Sequence, residues 1–293
     1  MSKTDTMPAR LFDAAASMTR PASAASAATP AHSAEYLAHL ARERRRRYLI
    51  LGSQVVLTVL FFLAWEILPR ANVINPLFTS YPSALWPTFL TLIKDANLAG
   101  HVTSTVLATV IGFSLSMLLG TVIAAALWWS PFAYKVLDPF LVVANAMPKI
   151  AFVPIFYIWL GATNSVYGMA VAIAVFITIM MVYSGFAGID PNKIKLTQTF
   201  GATRWQTLTK VVLPGSMPTL IATLKVNVGL SLVGVIVGEF QSASLGLGYL
   251  IVYGGQIFKL NIVMTAIVIL ALISGVMYLG IHMLERALIK RYT

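Results

Sequence analysis

The chain has 293 residues, of which 58% are hydrophobic and only 11% charged, against roughly 25% charged in an ordinary soluble domain. With a mean hydropathy of +0.80, this balance excludes a soluble globular protein and points to a polytopic membrane protein. The net charge of +11 does not argue for nucleic acid, because the cations gather at the ends of apolar runs, where membrane topology uses them; the absence of cysteine excludes a disulfide framework and a thiolate metal site.

Residues 1–47 read as a disordered tail. Ala, Ser, Thr and Pro dominate it to about residue 41, too little apolar surface to offset the entropy of ordering, and it ends in the basic cluster Arg42–Arg47. That cluster followed by an apolar run has the look of a signal peptide. However, residues 48–68 are long enough to span a bilayer, and Trp65, Glu66 and Pro69 stand where a small-residue cleavage site would be. A retained helix is expected there, with Glu66 as an interfacial anchor paired to Arg70. Residues 69–100 form a loop rich in proline, with one short helix from Pro82 to Lys94. Further spans are expected at about 102–128, 139–160, 166–187, 218–240 and 261–284, six in all. Gly112, Ser116 and Gly120 make a smooth face on the second. Gly161 to Ser165 is read as a tight turn, 241–260 as a Gly-rich loop and 286–293 as a short tail.

Six spans put both termini on one side. Thirteen cations, in the Arg42–Arg47 cluster, at Lys135, in 190–215 and in the C-terminal tail, then share a face, against Arg70, Lys94 and Lys259 on the other. The positive-inside rule makes the richer face cytoplasmic.

The longest polar interruption after residue 48 is Asp190–Pro218. It reads as two capped helices. Asp190 is an N-cap with Pro191 at the first helical position. Gly201 ends the first helix in a left-handed turn, and Thr203 with Gln206 forms a capping box for the second. Pro214 and Pro218 mark the way into the next span. Leu208, Val211 and Val212 suit packing onto the membrane region. Such an ordered basic elbow is built to be gripped by another protein.

Chemistry is sparse. No GxxxxGK[ST] pattern occurs, so no P-loop binds ATP here. The four histidines have no ligand spacing, and neither a nucleophile elbow nor a catalytic carboxylate pair stands out, so an enzyme is not expected. Lys149 in the third span costs about 2.5–3.5 kcal/mol unless it meets polar protein or water. Pro148 and Pro154 around it break or kink the helix. Two readings stand: Asn145, Pro148, Lys149 and Pro154 line a pathway, or the span starts later and leaves Lys149 at the interface. Lys225, two turns into its span, can snorkel. Glu239 is either a carboxylate at a pore mouth or a cap for the turn that follows it.

Gly201, followed after nine residues by Val211, Val212, Leu213 and Pro214, resembles the EAA loop of type I ABC-importer permeases, and Ala202 completes the common Gly-Ala pair. By spacing, the EAA triplet falls on Lys195, Leu196 and Thr197, with Lys in place of the acid. Within that family, NPLFTSYPSALW, MPKIAFVPIFYIWLGA and GEFQSASLGLGYLI are most similar to the nitrate/sulfonate/taurine-type permeases. The resemblance, over about residues 75–285, implies an all-α membrane protein with six transmembrane helices and a cytoplasmic coupling helix, in a bacterial inner membrane. It implies a second permease chain, identical or related, cytoplasmic ATPase subunits that hold ATP and Mg, and a periplasmic or lipid-anchored binding protein. This chain would then carry no cofactor and no catalytic residue. The resemblance gives Lys193, Lys195, Thr199, Gly201, Ala202, Arg204 and Trp205 contact with the ATPase, on the frame of Asp190, Pro191, Leu213 and Pro214. Small anions such as sulfonates, taurine or nitrate are the implied solutes; a pyrimidine vitamin precursor, riboflavin or an aromatic acid is the alternative. An ion-coupled secondary transporter would need paired intramembrane charges and inverted repeats, and neither is found.

Overall fold

The computed structural model describes residues 34–75, 79–242 and 244–289. The chain divides into two compact units, 1–61 and 62–293. The described part of the first is the N-terminal portion of helix α1, Ala34–Arg70. The tail expected as far as residue 47 is therefore helical from Ala34, because AEYLAHLARERRRR has good helix formers and neither Gly nor Pro; residues 1–33 lie outside the described residues.

The second unit contains the end of α1 and nine further helices among the described residues. Helix α2 is Pro82–Asp95, α3 is Leu98–Trp129 and α4 is Pro131–Ala146. A 3₁₀ turn, Lys149–Phe152, leads into α5, Val153–Ala187. The elbow holds α6, Pro191–Thr199, and α7, Arg204–Thr207. From α7 the chain passes through a π turn, Leu208–Val212, and a short α turn, Leu213–Gly215. Pro214 has no N–H to offer the Lys210 carbonyl, which accounts for the widened turn before it. Helices α8, Met217–Ser242, α9, Leu247–Gln256, and α10, Leu260–Ile289, complete the unit.

By length and composition, five helical stretches among the described residues can cross a membrane: Arg42–Arg70, Leu98–Trp129, Lys149–Ala187, Met217–Gln241 and Leu260–Arg286. The sixth expected span, 139–160, is not one helix. Its first part belongs to α4, whose 16 residues rise about 24 Å, short of the ~30 Å hydrocarbon layer. Helix α4 stops at Met147, which is extended (φ −63°, ψ 141°) before Pro148, as the ring of a following proline requires. The turn expected at 161–165 is centred on Gly161 (φ 78°, ψ 173°), where the two helices written together as α5 meet; a Cβ on Gly168 would stand 2.7 Å from the Leu160 side chain and 2.8 Å from that of Phe156, so 153–160 lies back against the start of the helix that follows. The Gly-rich loop 241–260 is largely helix α9, since Leu247 and Leu250 bury one face against Ala266 and Leu270.

The core is the packing of α3, α5 and α8. Small residues let the backbones approach. A Cβ added to Gly234 of α8 would stand 2.5 Å from the Ala170 Cα of α5, and one on Gly112 of α3 would stand 2.4 Å from the Ala170 Cβ. A buried amide joins the same three helices. Asn227 Oδ1 accepts from Ser116 Oγ (2.8 Å) and Ser231 Oγ (2.9 Å), while its Nδ2 donates to Thr178 Oγ1 (2.6 Å). Thr178 in turn donates to the Ala174 carbonyl at 2.8 Å. Nearer the end of the helices, Lys225 does more than snorkel: its Nζ pairs with Glu285 of α10 at 2.7 Å, and Glu285 also meets His282.

Gly234→Ala is expected to cost the ~1–3 kcal/mol of stability typical of overpacking, read as a lower melting temperature of the purified protein. Gly229→Ala, where an added Cβ meets nothing within 4 Å, leaves it unchanged or raises it slightly.

Candidate functional site

The elbow is stiff for local reasons. Asp190 accepts from the Asn192 amide at 2.8 Å and opens α6. Gly201 has φ +78°, a left-handed conformation open to glycine at no steric cost. The capping box is complete: Thr203 Oγ1 accepts from Gln206 N (3.3 Å) and Gln206 Oε1 accepts from Thr203 N (2.8 Å). The Thr197 and Thr207 hydroxyls, 3.4 Å apart, link the two helices.

One side of the elbow is seated. Leu208 and Val212 are buried against Ala124 of α3 and Val182 and Phe186 of α5, and Val211 is half-buried. Arg204 Nη1 donates to the Trp129 carbonyl at 3.2 Å, capping the last turn of α3. The other side is open. Lys193, Lys195, Thr199, Gly201, Arg204 and Trp205 are exposed and Ala202 is half-buried. Among the described residues no acid pairs with these cations. Sequence reasoning missed Leu196 and Phe200, which are exposed like Trp205, with Phe200 at 81% of its possible surface. The signal was available: Leu196 and Phe200 stand four apart, on one helical face. Leu213 is exposed and Pro214 half-buried where the elbow meets α8.

The proposed pathway residues fall into two groups. Lys149 Nζ donates to the Asn145 carbonyl at 2.8 Å, across the break at Pro148. It caps the end of α4, where a cation is favoured, and lies 5.6 Å over the Phe176 ring. Pro154 sits in the first turn of α5. Phe176, with Leu115, Phe156, Tyr167 and Val171, lines an apolar cavity of about 490 Å³.

Glu239 stands apart from this group and is 1% exposed. Its Oε1 accepts from Thr105 Oγ1 (2.8 Å) and its Oε2 from the Gly248 amide (2.8 Å). Thr105 Oγ1 accepts from Leu247 N at 2.9 Å, and Gly246 N donates to His101 Nδ1 at 2.9 Å. Three successive amides at the start of α9 are thus satisfied by α3 and α8. Gly246 is required: its φ is +125°, and a Cβ there would lie 2.3 Å from the Glu239 carboxyl carbon. Of the two readings of Glu239, capping the following turn is the one this geometry supports. Glu239 also lines a cavity of about 250 Å³ with Ser104, Ala108, Thr163, Tyr167 and Ser244. Tyr167 borders both cavities.

With this geometry in view, the comparisons with known proteins decide the class. The sequence model of the "Binding-protein-dependent transport system inner membrane component" family matches residues 116–293. The chain belongs to this family. It is 25% identical over 248 residues to the taurine transport system permease protein TauC of Escherichia coli (strain K12), covering 81% of this chain and 90% of that one. It is 25% identical to the putative aliphatic sulfonates transport permease protein SsuC of Bacillus subtilis (strain 168), covering 80% and 86%. To the formylaminopyrimidine transport permease protein ThiX of Halalkalibacterium halodurans it is 29% identical, over 67% of this chain and 80% of that one. Among solved structures, the bacterial alginate ABC transporter bound to its periplasmic protein shares the fold, with a TM-score of 0.59, 15% identity and coverage of 84% of this chain and 97% of that one. An inward-facing MetNI methionine transporter does too, with a TM-score of 0.57, 18% identity and coverage of 67% and 96%. The chain is thus a multi-pass ABC-importer permease subunit.

Thr105→Val keeps the shape and removes the hydroxyl between Glu239 and Leu247. The expected loss is about 1–3 kcal/mol of stability, read as a lower melting temperature with faster hydrogen exchange at Leu247 and Gly248. Thr103→Val, whose hydroxyl bonds only within its own helix, serves as the unaffected control.

Proposed function

We propose that this permease pairs with a second permease chain to form the pathway of an ATP-driven importer, and that its elbow, 190–215, docks in a cleft of a separate ATPase subunit. The elbow, the N-terminus and the C-terminus lie in the cytoplasm, and a binding protein delivers solute from the opposite side. ATP and Mg are held by the ATPase. The observation that carries the reading is the two-sidedness of the elbow. Its inner side is fixed by Leu208, Val212 and the Arg204 bond to α3, while its outer side presents Leu196, Phe200 and Trp205 among cations that pair with no acid of the described residues. An element capped at both helices and seated on α3 and α5 passes on a rigid-body displacement that a loose loop would absorb. Lys195 in place of the usual acid suits a partner with an acidic rim.

The solute proposed is a small organic sulfonate of the kind named for the two 25%-identical relatives. The break at Pro148, the Lys149 ammonium and the two cavities that Tyr167 borders are the proposed lining of its route. Broken helices at membrane depth occur where they face protein or a water-filled space.

Gly201→Val forces a β-branched residue into a left-handed turn, and Arg204→Glu removes the bond to Trp129. Both variants are expected to insert normally yet lose most ATP-driven uptake in proteoliposomes containing the whole transporter. Phe200→Ser should cut co-purification of the ATPase about tenfold, the effect of deleting one buried aromatic anchor. Coupled uptake unchanged in all three would remove the elbow from the coupling route.

A further inference from the structure

Helix α1 runs unbroken from Ala34 to Arg70, and its composition fixes its depth in a bilayer. The apolar run 48–68 rises about 32 Å, close to the ~30 Å of the hydrocarbon layer. Trp65 and the Glu66–Arg70 pair anchor its far end, so the helix has little slack along its axis. At the near end stand Arg42, Arg44, Arg45, Arg46 and Arg47, all exposed. They occupy about 8 Å of the axis, against a headgroup layer about 5–8 Å deep. At about 100° per residue, these five side chains leave the helix all round its circumference, with no gap wider than about 100°. A protein partner grips one face of a helix; a ring suits a medium that surrounds it, which at this depth is the lipid headgroups. Among the described residues none of the five pairs with an acid, although Glu43 stands in their midst. They also repel one another at spacings of three and four, Arg42 with Arg45 and Arg46, and Arg44 with Arg47. Anions between them would remove that cost. The residue type is particular as well. Orientation across a membrane uses Lys and Arg alike, and beyond residue 47 most cations of this chain are Lys. Here every cation is Arg, whose planar fork of N–H groups meets phosphate oxygens two at a time.

We infer that the five arginines of 42–47 form a belt that binds the phosphates of anionic phospholipids in the adjacent leaflet and gathers such lipids around α1. Charges that only orient the span would account for the sign of the belt, but for neither its ring shape nor its choice of Arg. Residues 48–64 of α1 are exposed, so the acyl chains of a lipid held at the belt have an apolar surface to lie along. The belt is on the side that the proposed function makes cytoplasmic. The inference itself requires only that α1 spans a bilayer, and it stands or falls apart from the importer reading.

The test uses the purified full-length chain, with any copurifying subunits, in nanodiscs of equal parts phosphatidylglycerol and phosphatidylcholine. The discs are opened with mild detergent, and the phospholipid that stays with the protein is quantified by mass spectrometry. Phosphatidylglycerol is expected to exceed phosphatidylcholine at least about fivefold, the value of one arginine at an anionic surface. Arg45→Gln combined with Arg46→Gln and Arg47→Gln should bring the ratio close to parity. Arg45→Lys combined with Arg46→Lys and Arg47→Lys keeps the charge that orients the span and gives up the paired N–H groups. Its ratio should fall clearly below that of the unaltered chain, and it carries the decision if the Gln variant fails to insert. Lys94→Gln combined with Lys259→Gln, two cations outside α1, should leave the ratio unchanged. Equal retention of the two lipids by the unaltered chain overturns the inference, and is the result expected if an acidic protein were the partner of the belt. An undiminished ratio in the inserted Gln variant, or in the Lys variant, overturns it too. Uptake plays no part in this readout, so a negative result leaves the importer reading standing, and loss of uptake in the elbow variants leaves the belt standing.

Discussion

Glu239 accepts one hydrogen from Thr105 and one from Gly248, each at 2.8 Å, and through those contacts α3, α8 and α9 share a single junction. The start of α9 has no side-chain cap of its own. Its first amides would be orphans in an apolar surrounding, where an unmade hydrogen bond is costly. The acid of α8 and the hydroxyl and imidazole of α3 take their place. Once α9 is anchored, Leu247 and Leu250 are held against Ala266 and Leu270 of α10, so the carboxylate also governs how the last span is attached.

The three-helix core beneath this junction follows a different physical rule. Lipid tails are as apolar as leucine, so hydrophobicity alone does not bring helices together in a bilayer. Close backbone approach at Gly112 and Gly234, both against Ala170, and the amide of Asn227 shared among three hydroxyls do so instead. The two devices support each other. Small residues bring the helices near enough for short polar side chains to meet, and those side chains fix the register.

The elbow draws on both. Its stiffness is local, in the Asp190 cap, the left-handed Gly201 and the Thr203–Gln206 box. Its attachment is tertiary, in Leu208 and Val212 against Val182 and Phe186 and in the guanidinium of Arg204 on the last carbonyl of α3. A permease that exchanges motion with a partner through this element needs the first property so that the elbow moves as one piece, and the second so that the movement reaches the spans.

The sequence by itself determined what depends on neighbours a few residues apart. Apolar run length marked the spans, Asp190, Gly201 and Thr203 marked the elbow, and Pro148 marked the break in the stretch 139–160. Glu66 and Arg70, four apart, were legible as a pair and stand at 2.7 Å. Tertiary structure alone decided the rest. Thr105 and Glu239 are 134 residues apart, and Ser116 and Asn227 are 111 apart, separations at which no periodicity or capping rule operates. Residues 241–260 read as a loop because their glycines lower helix propensity, yet burial of Leu247 and Leu250 and the borrowed caps from α3 and α8 make them a helix. Local hydrogen bonds are written in the order of residues, whereas the pairing of a buried acid with its donors is settled only when the helices that carry them have packed.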